Sequence, residues 1–349
     1  MDTRNAIFAA LAAALLFGAS TPFAKLLIGG ISPILLAALL YLGSGVGLWL
    51  IRLVRDKGYL PPRLPRAEWP WLVGAILSGG VIAPILLLWG LAQTSAANAS
   101  LLLNLEAVLT ALIAWLVFRE NADTRIVLGM LLIVAGGVAL AWPDAGTNTA
   151  SSRGAVAIAG ACLCWAIDNN LTRKVSAADA LFVAGTKGLA AGITNLLLAV
   201  ALGAALPSAP LIAGAMTIGL IGYGISLVLF VLALRGLGSA RTGAYFSTAP
   251  FLGALIATLL LHEPVTAALG IAAILMAAGV WLHLTERHEH EHRHEALAHE
   301  HPHRHDEHHR HDHDFDWDGR EPHAHAHVHT ALVHSHAHFP DLHHRHPHP

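Results

Sequence analysis

The string ALIAWLVFRE, Ala111 to Glu120, returns as ALIATLLLHE, Ala254 to Glu263, 143 residues further along the chain. Around each copy lie about five apolar segments of membrane length. Five is odd, so a second copy that follows the first through a bilayer must sit upside down relative to it. Such inverted repeats are the building plan of secondary transporters.

Composition requires the bilayer, because 55% hydrophobic and 13% charged residues over 349 positions do not describe a soluble domain. Crossing the hydrocarbon takes roughly 20 mainly apolar residues. Segments at about 5–28, 32–54, 69–91, 96–118, 124–142, 154–174, 179–202, 210–234, 241–262 and 265–284 qualify. Backbone groups in lipid must bond within their own segment, so each is expected to be a helix. The sequence thus predicts an all-α membrane protein of ten transmembrane helices arranged as two inverted five-helix repeats, 1–143 and 144–285, plus a disordered tail, 286–349. A signal-peptide reading of the first span is disfavoured by its long apolar run, by the lack of a clear small-x-small cleavage site and by its counterpart inside the chain.

Loop charges set the orientation. If the spans alternate, Arg4, then Arg52, Arg55, Lys57, Arg63 and Arg66, then Arg119 and Arg125, then Arg173 and Lys174, then Arg235 and Arg241, then Arg287 share one side, and only Arg153 and Lys25 fall toward the other. The positive-inside rule makes the shared side cytoplasmic. Both termini and Glu120 then face inward, Glu263 faces outward, and a bacterial inner (plasma) membrane is the expected location.

The repeat extends further. Phe17-Gly18-Ala19-Ser20-Thr21-Pro22-Phe23-Ala24-Lys25 and Trp165-Ala166-Ile167-Asp168-Asn169-Asn170-Leu171-Thr172-Arg173 both place polar groups and then a cation after an aromatic residue. Gly129, Gly136 and Gly137 in the fifth span, Gly270 and Gly279 in the tenth, Gly43 and Gly47, and Gly185, Gly188 and Gly192 suit close helix approach, which drives packing in lipid.

Five plus five spans, a polar break in spans one and six, and Ala-Leu-rich fourth and ninth spans ending in Glu120 and Glu263 before a Gly-containing helix together resemble the drug/metabolite transporter superfamily, specifically its EamA branch, over about residues 5 to 284. The resemblance implies export or exchange of amino acids, other metabolites or toxic compounds, usually driven by a proton or substrate gradient. One departure stands out: Glu106-Ala107 replaces the mid-span proline that family members often carry in the fourth span, while Pro250 keeps it in the ninth.

An ionisable side chain at membrane depth costs roughly 3 kcal/mol on insertion scales unless paired or hydrated. Glu106, Asp168 and Lys187 lie mid-span, and Lys25 lies near the end of span one. Two acids and two cations can neutralise one another and lock helices together, or they can line a cavity that binds a substrate's charged group or a proton. Ser20 and Thr21, Asn104, Asn169, Asn170, Tyr245, Ser247 and Thr248 complete the candidate site, although any one of them, taken singly, is read first as a hydrogen bond between packed helices. Pro22 and Pro250 leave carbonyls without helical partners, and such breaks tend to face the cavity. Asn104 and Glu106 stand about 200° apart on a regular helix, so both reach one cavity only if the helix is distorted; Tyr245 and Thr248 share a face more easily. Cys162 and Cys164, two apart, point to different faces, which argues against a disulfide.

Residues 288 to 348 hold 23 of the chain's 25 histidines. They alternate: His288, His290, His292 and His294; His299, His301, His303 and His305; His323, His325, His327 and His329. Period two suits an extended chain around a cation, and imidazole favours Zn, Ni, Co or Cu. A buffering or drifted low-complexity extension is the plain alternative.

These observations rank a secondary transporter, an exporter of a small organic molecule, above a metal-regulated transporter or metal exporter, and both above an enzyme or receptor. Metal cargo would call for ligands at the centre of the helical body, where carboxylates, amides and Lys stand instead, with His262 and His283 at span ends. No nucleophile with its base and no P-loop is present, so neither a catalytic role, a required cofactor nor nucleic acid is expected. The expected partners are the substrate, the lipid and transition-metal ions at the tail, with a homodimer left open.

Overall fold

A computed structural model describes residues 3–59, 64–118, 124–142, 150–175, 178–230, 232–233, 242, 245–285, 289–294, 297–303, 323–329 and 332–337. The chain divides into two compact units, Met1–Thr285 and Glu286–Pro349.

In the first unit, eight helices among the described residues are long and apolar enough to cross a membrane, by length and composition: α1 (Arg4–Leu27), α2 (Pro33–Arg55), α3 (Arg66–Gln93), α4 (Ala96–Val117), α5 (Thr124–Ala141), α6 (Ser152–Thr172), α7 (Ala180–Ala201) and α8 (Ala209–Phe230). The shorter apolar helices α9 (Ala249–Leu260) and α10 (Ala267–Leu282) follow. Leu116, Val117, Leu131, Val156, Leu197, Leu259 and Ile274 are exposed. So many large side chains turned outward from an apolar bundle is what a lipid solvent permits and water does not. Exposed Trp69, Trp71, Trp142 and Trp281 stand near helix ends, where indoles suit the headgroup level.

Small residues set the crossings. A Cβ on Gly45 would come within 2.4 Å of the Leu189 backbone, and one on Gly188 within 2.8 Å of Gly45, so α2 and α7 pack backbone against backbone. Gly43 and Gly219 do the same between α2 and α8, and Gly18 and Gly253 between α1 and α9. Gly279 of α10 abuts the Gly129 carbonyl of α5. Gly270, expected to be another packing position, instead has open space on its Cβ side, because the seam runs along the Gly279 face. Gly188→Leu is therefore expected to force α2 and α7 apart at about 1–3 kcal/mol or more, seen as a lower melting temperature in detergent, whereas Gly270→Leu leaves melting unchanged or raises it.

Helix packing follows an exchange pattern. α2 packs on α7, α4 on α9 and α5 on α10; α3 and α4 pack on α6 as α8 and α9 pack on α1; and α2 packs on α8 as α7 packs on α3. Both α3 and α8 widen into a π-helix, at Ile76–Ile82 and Leu220–Ile225. The 143-residue offset of the repeat sets Gly79 against Gly222, and the two make equivalent contacts. A Cβ on Gly79 would strike the Asp168 carboxylate of α6, and one on Gly222 would strike the Ser20 side chain of α1.

α1 runs through Pro22, as its expected span does. The expectation for Pro250 changes. Pro250 sits in the first turn of α9, which begins at Ala249 rather than near 241 among the described residues; there its missing N–H costs nothing.

Among its described residues the second unit contains four strands: β1 (Glu289–His294), β2 (Leu297–His303), β3 (His323–His329) and β4 (Leu332–Ala337). β1 pairs antiparallel with β4, and β2 with β3. Period-two alternation is also the period of a strand, and ladders pair backbone groups without needing a large apolar core. His288 and His305 lie outside the described residues.

Candidate substrate and proton site

Acid and base meet on α6 and α7. Asp168, 6% exposed, accepts from the Lys187 ammonium at 2.5 Å and from the Thr172 hydroxyl at 2.8 Å, and Lys187 also donates to Thr172 at 3.0 Å. Thr172 stands one turn after Asp168, which places both on one face. Asp168 also lies against Gly79 in the π-helix of α3. A π turn leaves carbonyls off the regular ladder, and here the Gly79 carbonyl accepts from the Tyr41 hydroxyl and the Trp165 indole, each at 2.9 Å, while the Gly80 carbonyl accepts from Asn195 at 3.0 Å.

The second acid lies on α4 beside the same helix. α4 breaks at Leu103 and Asn104, where Asn104 and Glu106 bond three residues back rather than four. Beyond the break, Glu106 accepts from the Asn169 amide at 2.8 Å, and Asn169 reaches the Thr110 hydroxyl at 3.4 Å. The distortion does not bring Asn104 to Glu106. Asn104 is buried, donating to the Leu101 carbonyl at 3.0 Å and meeting the Met276 sulfur of α10. Cys162 donates to the Leu102 carbonyl at 3.6 Å across the same break.

The other candidates separate from this set. Asn170 bonds the Ala166 and Thr110 carbonyls and ties α6 to α4. Thr248 bonds the Tyr245 carbonyl, and Tyr245 packs by Ala9, Ala10 and Ala233. Lys25 donates to the carbonyls of Leu91 and Thr94 at the end of α3. Glu263 accepts from the backbone N–H groups of Ala96 and Ala97 at the start of α4, at 2.7 and 2.8 Å. These two charges neutralise opposite helix ends, a cation at carbonyls and an anion at amides, and clip the α3–α4 corner. At the junction of α2 and α7, Asp179 caps α7 through the Phe182 N–H and pairs with Arg55 at 2.7 Å, and Arg55 also holds Asp56. That guanidinium holds the Asp56 carboxyl below the usual carboxylate range.

A separate cavity of about 220 Å³ lies among α2, α7 and α8, lined by Leu48, Ile51, Leu181, Leu227 and Leu232 with Arg55 at its edge. It shares no lining residue with the polar set.

An aromatic row also escaped the sequence reading. Tyr41 of α2 lies 5.7 Å from Tyr223 in the π-helix of α8, Tyr223 lies 5.9 Å from Phe17 of α1, and Phe17 lies 5.4 Å from Phe246. No periodicity links residues so far apart in the chain. Thr110 and Thr172 were findable, since each stands four positions after an intramembrane acid.

Two stretches related by this exchange pattern match one family, the EamA-like transporter family, over residues 4–142 and 152–285. The chain belongs to the EamA-like transporter family. An uncharacterized transporter of Methanothermobacter thermautotrophicus is 30% identical over 288 residues, 78% of this chain and 84% of that protein. A probable 4-amino-4-deoxy-L-arabinose-phosphoundecaprenol flippase subunit ArnE of Pseudomonas aeruginosa is 40% identical over 114 residues, 31% of this chain and 93% of the subunit. One crystal structure shares the fold, with a TM-score of 0.60 at 24% identity over 78% of this chain and 94% of the other. In this EamA-like transporter the acids Glu106 and Asp168 belong to different sequence repeats yet converge along one helix, α6.

Proposed function

We propose that this EamA-like protein is a secondary transporter that exports a small organic metabolite or toxic compound by alternating access. Two five-helix halves of opposite orientation rock around polar groups on α4, α6 and α7, and Glu106 or Asp168 carries a coupled proton. The reading rests on one observation: a Glu106–Asn169–Thr110 set and an Asp168–Lys187–Thr172 set flank the same stretch of α6 within apolar helices. Carboxylate, ammonium, amide and hydroxyl groups together suit an organic molecule with hydrogen-bonding groups better than a soft metal ion, which favours imidazole and thiolate. The exchange pattern of helix contacts and the matched π-helices support a two-fold relation between the halves. Lys25, Leu91, Ala96 and Glu263 gather at one end of the helices and Arg55 with Asp179 at the other end of α2, as alternating spans require. Glu120 lies outside the described residues.

A second reading gives the cargo a long apolar chain. The leucine-lined cavity with a guanidinium at its edge favours it, and the ArnE relative is described as a flippase subunit for a polyprenyl-linked sugar.

Full-length protein in liposomes tests these readings together. Tags placed beside Glu120 and Glu263 are expected to open to opposite compartments, and counterflow is expected for members of an amino-acid and antimetabolite panel. Both tags on one side would overturn the inverted arrangement. Flux of labelled zinc or nickel without organic counterflow would overturn the organic cargo, and movement of a fluorescent polyprenyl phosphate alone would favour the second reading.

A further inference from the structure

The tail, taken by itself, is also a duplication. Residues 288–311 and 323–346 align without a gap at a spacing of 35, and fourteen of twenty-four positions are identical. The shared positions include His288/His323, His290/His325, His292/His327 and His294/His329, then Ala296-Leu297/Ala331-Leu332, His299/His334, His301/His336 and His303/His338, and finally Asp306/Asp341 and the His-His-Arg-His strings from His308 and His343. The changes fall mostly between the histidines, as at Glu289/Ala324, Glu291/Ala326 and Arg293/Val328. Drifting low complexity has no reason to keep Ala-Leu, Asp and His-His-Arg-His in step while its spacers change.

Strand pairing follows the duplication. β1 and β3 occupy one place in the two copies, and β2 and β4 occupy the other. β1 pairs with β4, setting His290 opposite His336 and His292 opposite His334. β3 pairs with β2, setting His325 opposite His301 and His327 opposite His299. A shift of 35 carries the first register onto the second, so each ladder takes one strand from each copy. In an antiparallel pair, opposite residues lie on the same face with Cβ atoms about 4.5–5.5 Å apart, and next-but-one residues continue that face. The registers thus set two histidine pairs across the first ladder and three across the second, where His303 also stands opposite His323; two pairs are common to both ladders.

We propose that the tail is a duplicated transition-metal module whose two equivalent sites are each built jointly by both copies: His290, His292, His334 and His336 in one ladder, His299, His301, His325 and His327 in the other. Zn, Ni, Co and Cu are the ions that imidazole groups favour. Binding requires neutral imidazole, so it weakens as pH falls. The module stands independently of what the helical body transports.

Full-length protein, purified without a polyhistidine tag, is titrated with Co(II) and followed by its visible absorption, then with Zn(II) in competition. Two variants remove equal numbers of histidines. The ladder variant, H290A/H292A/H334A/H336A, is expected to halve the tight Co(II) stoichiometry and leave the remaining half at unchanged affinity. The copy variant, H290A/H292A/H299A/H301A, strips half of each site and is expected to weaken all tight binding by about tenfold or more. If the copy variant instead keeps half of the sites intact, each copy binds alone and the shared-site proposal fails. Equal, graded losses in both variants reduce the tail to a non-specific histidine tract.

Discussion

Asp168→Asn, with Lys187 left in place, is expected to destabilise the helical body by about 3–5 kcal/mol, because removing one member of a buried ion pair strands the other charge. The side chains of Asp168 and Lys187 retain only 9% and 18% of their exposure, and Thr172 is the other group bonded to both. The mutant amide can still accept from Lys187, but it supplies no charge to offset the ammonium. Asp168→Asn with Lys187→Met removes both charges. Since replacing a buried pair by neutral groups is often neutral or stabilising, the double variant is expected to melt near the parent temperature in detergent. Transport separates lock from site: with stability restored, the double variant is expected to lose at least about tenfold in counterflow, or 1.4 kcal/mol. Parent-level counterflow in the double variant would mean that the pair only holds α6 to α7. The same fold then persists with no proton or substrate charge met at Asp168.

Much of the helical unit was legible because lipid simplifies the code. Long apolar runs must be helices, and Pro33–Arg55 and Thr124–Ala141 fall within a residue of their expected spans. Small residues could be assigned to packing for the same reason, and Gly188 and Gly279 do pack, while Gly270 shows that a glycine's presence does not say which way its face turns. What the sequence could not resolve was partner choice. Lys25 and Lys187 look alike as intramembrane cations, yet one binds carbonyls at a helix end and the other a carboxylate. Partner choice depends on the crossing of α1 with the α3–α4 corner and of α6 with α7, and no local pattern encodes either.

The π-helices show the same limit. Gly79 and Gly222 are visible as glycines in matching places, but the bonds that the Gly79 carbonyl accepts in the widened turn come from Tyr41 of α2 and Trp165 of α6, residues far away in the chain. The broken α4 is intermediate. The sequence required distortion if Asn104 and Glu106 were to share a cavity; α4 is distorted, but Asn104 turns to α10 and Glu106 to α6. In the tail, alternation was legible as an extended chain, whereas the reciprocal strand register follows from the two copies pairing with one another.

Glu106→Gln is the second large effect, expected in coupling rather than in folding. Gln keeps the length of Glu and an oxygen that accepts from the Asn169 amide, so the hydrogen bond at 2.8 Å has an isosteric replacement. A melting shift equivalent to less than about 1 kcal/mol is expected, since no buried partner loses its bond. The change removes the one property the amide lacks, the ability to take up and release a proton within the membrane. Uptake driven by an imposed pH gradient in liposomes is expected to fall by about tenfold or more, while counterflow, which needs no net proton movement, persists. Asn169→Leu is the complementary change, because it leaves Glu106 titratable but removes its donor, and it should shift the pH dependence of flux without abolishing gradient-driven uptake. If Glu106→Gln retains both gradient-driven uptake and the parent pH profile, Glu106 fastens α4 to α6 through Asn169, and any coupling falls to Asp168.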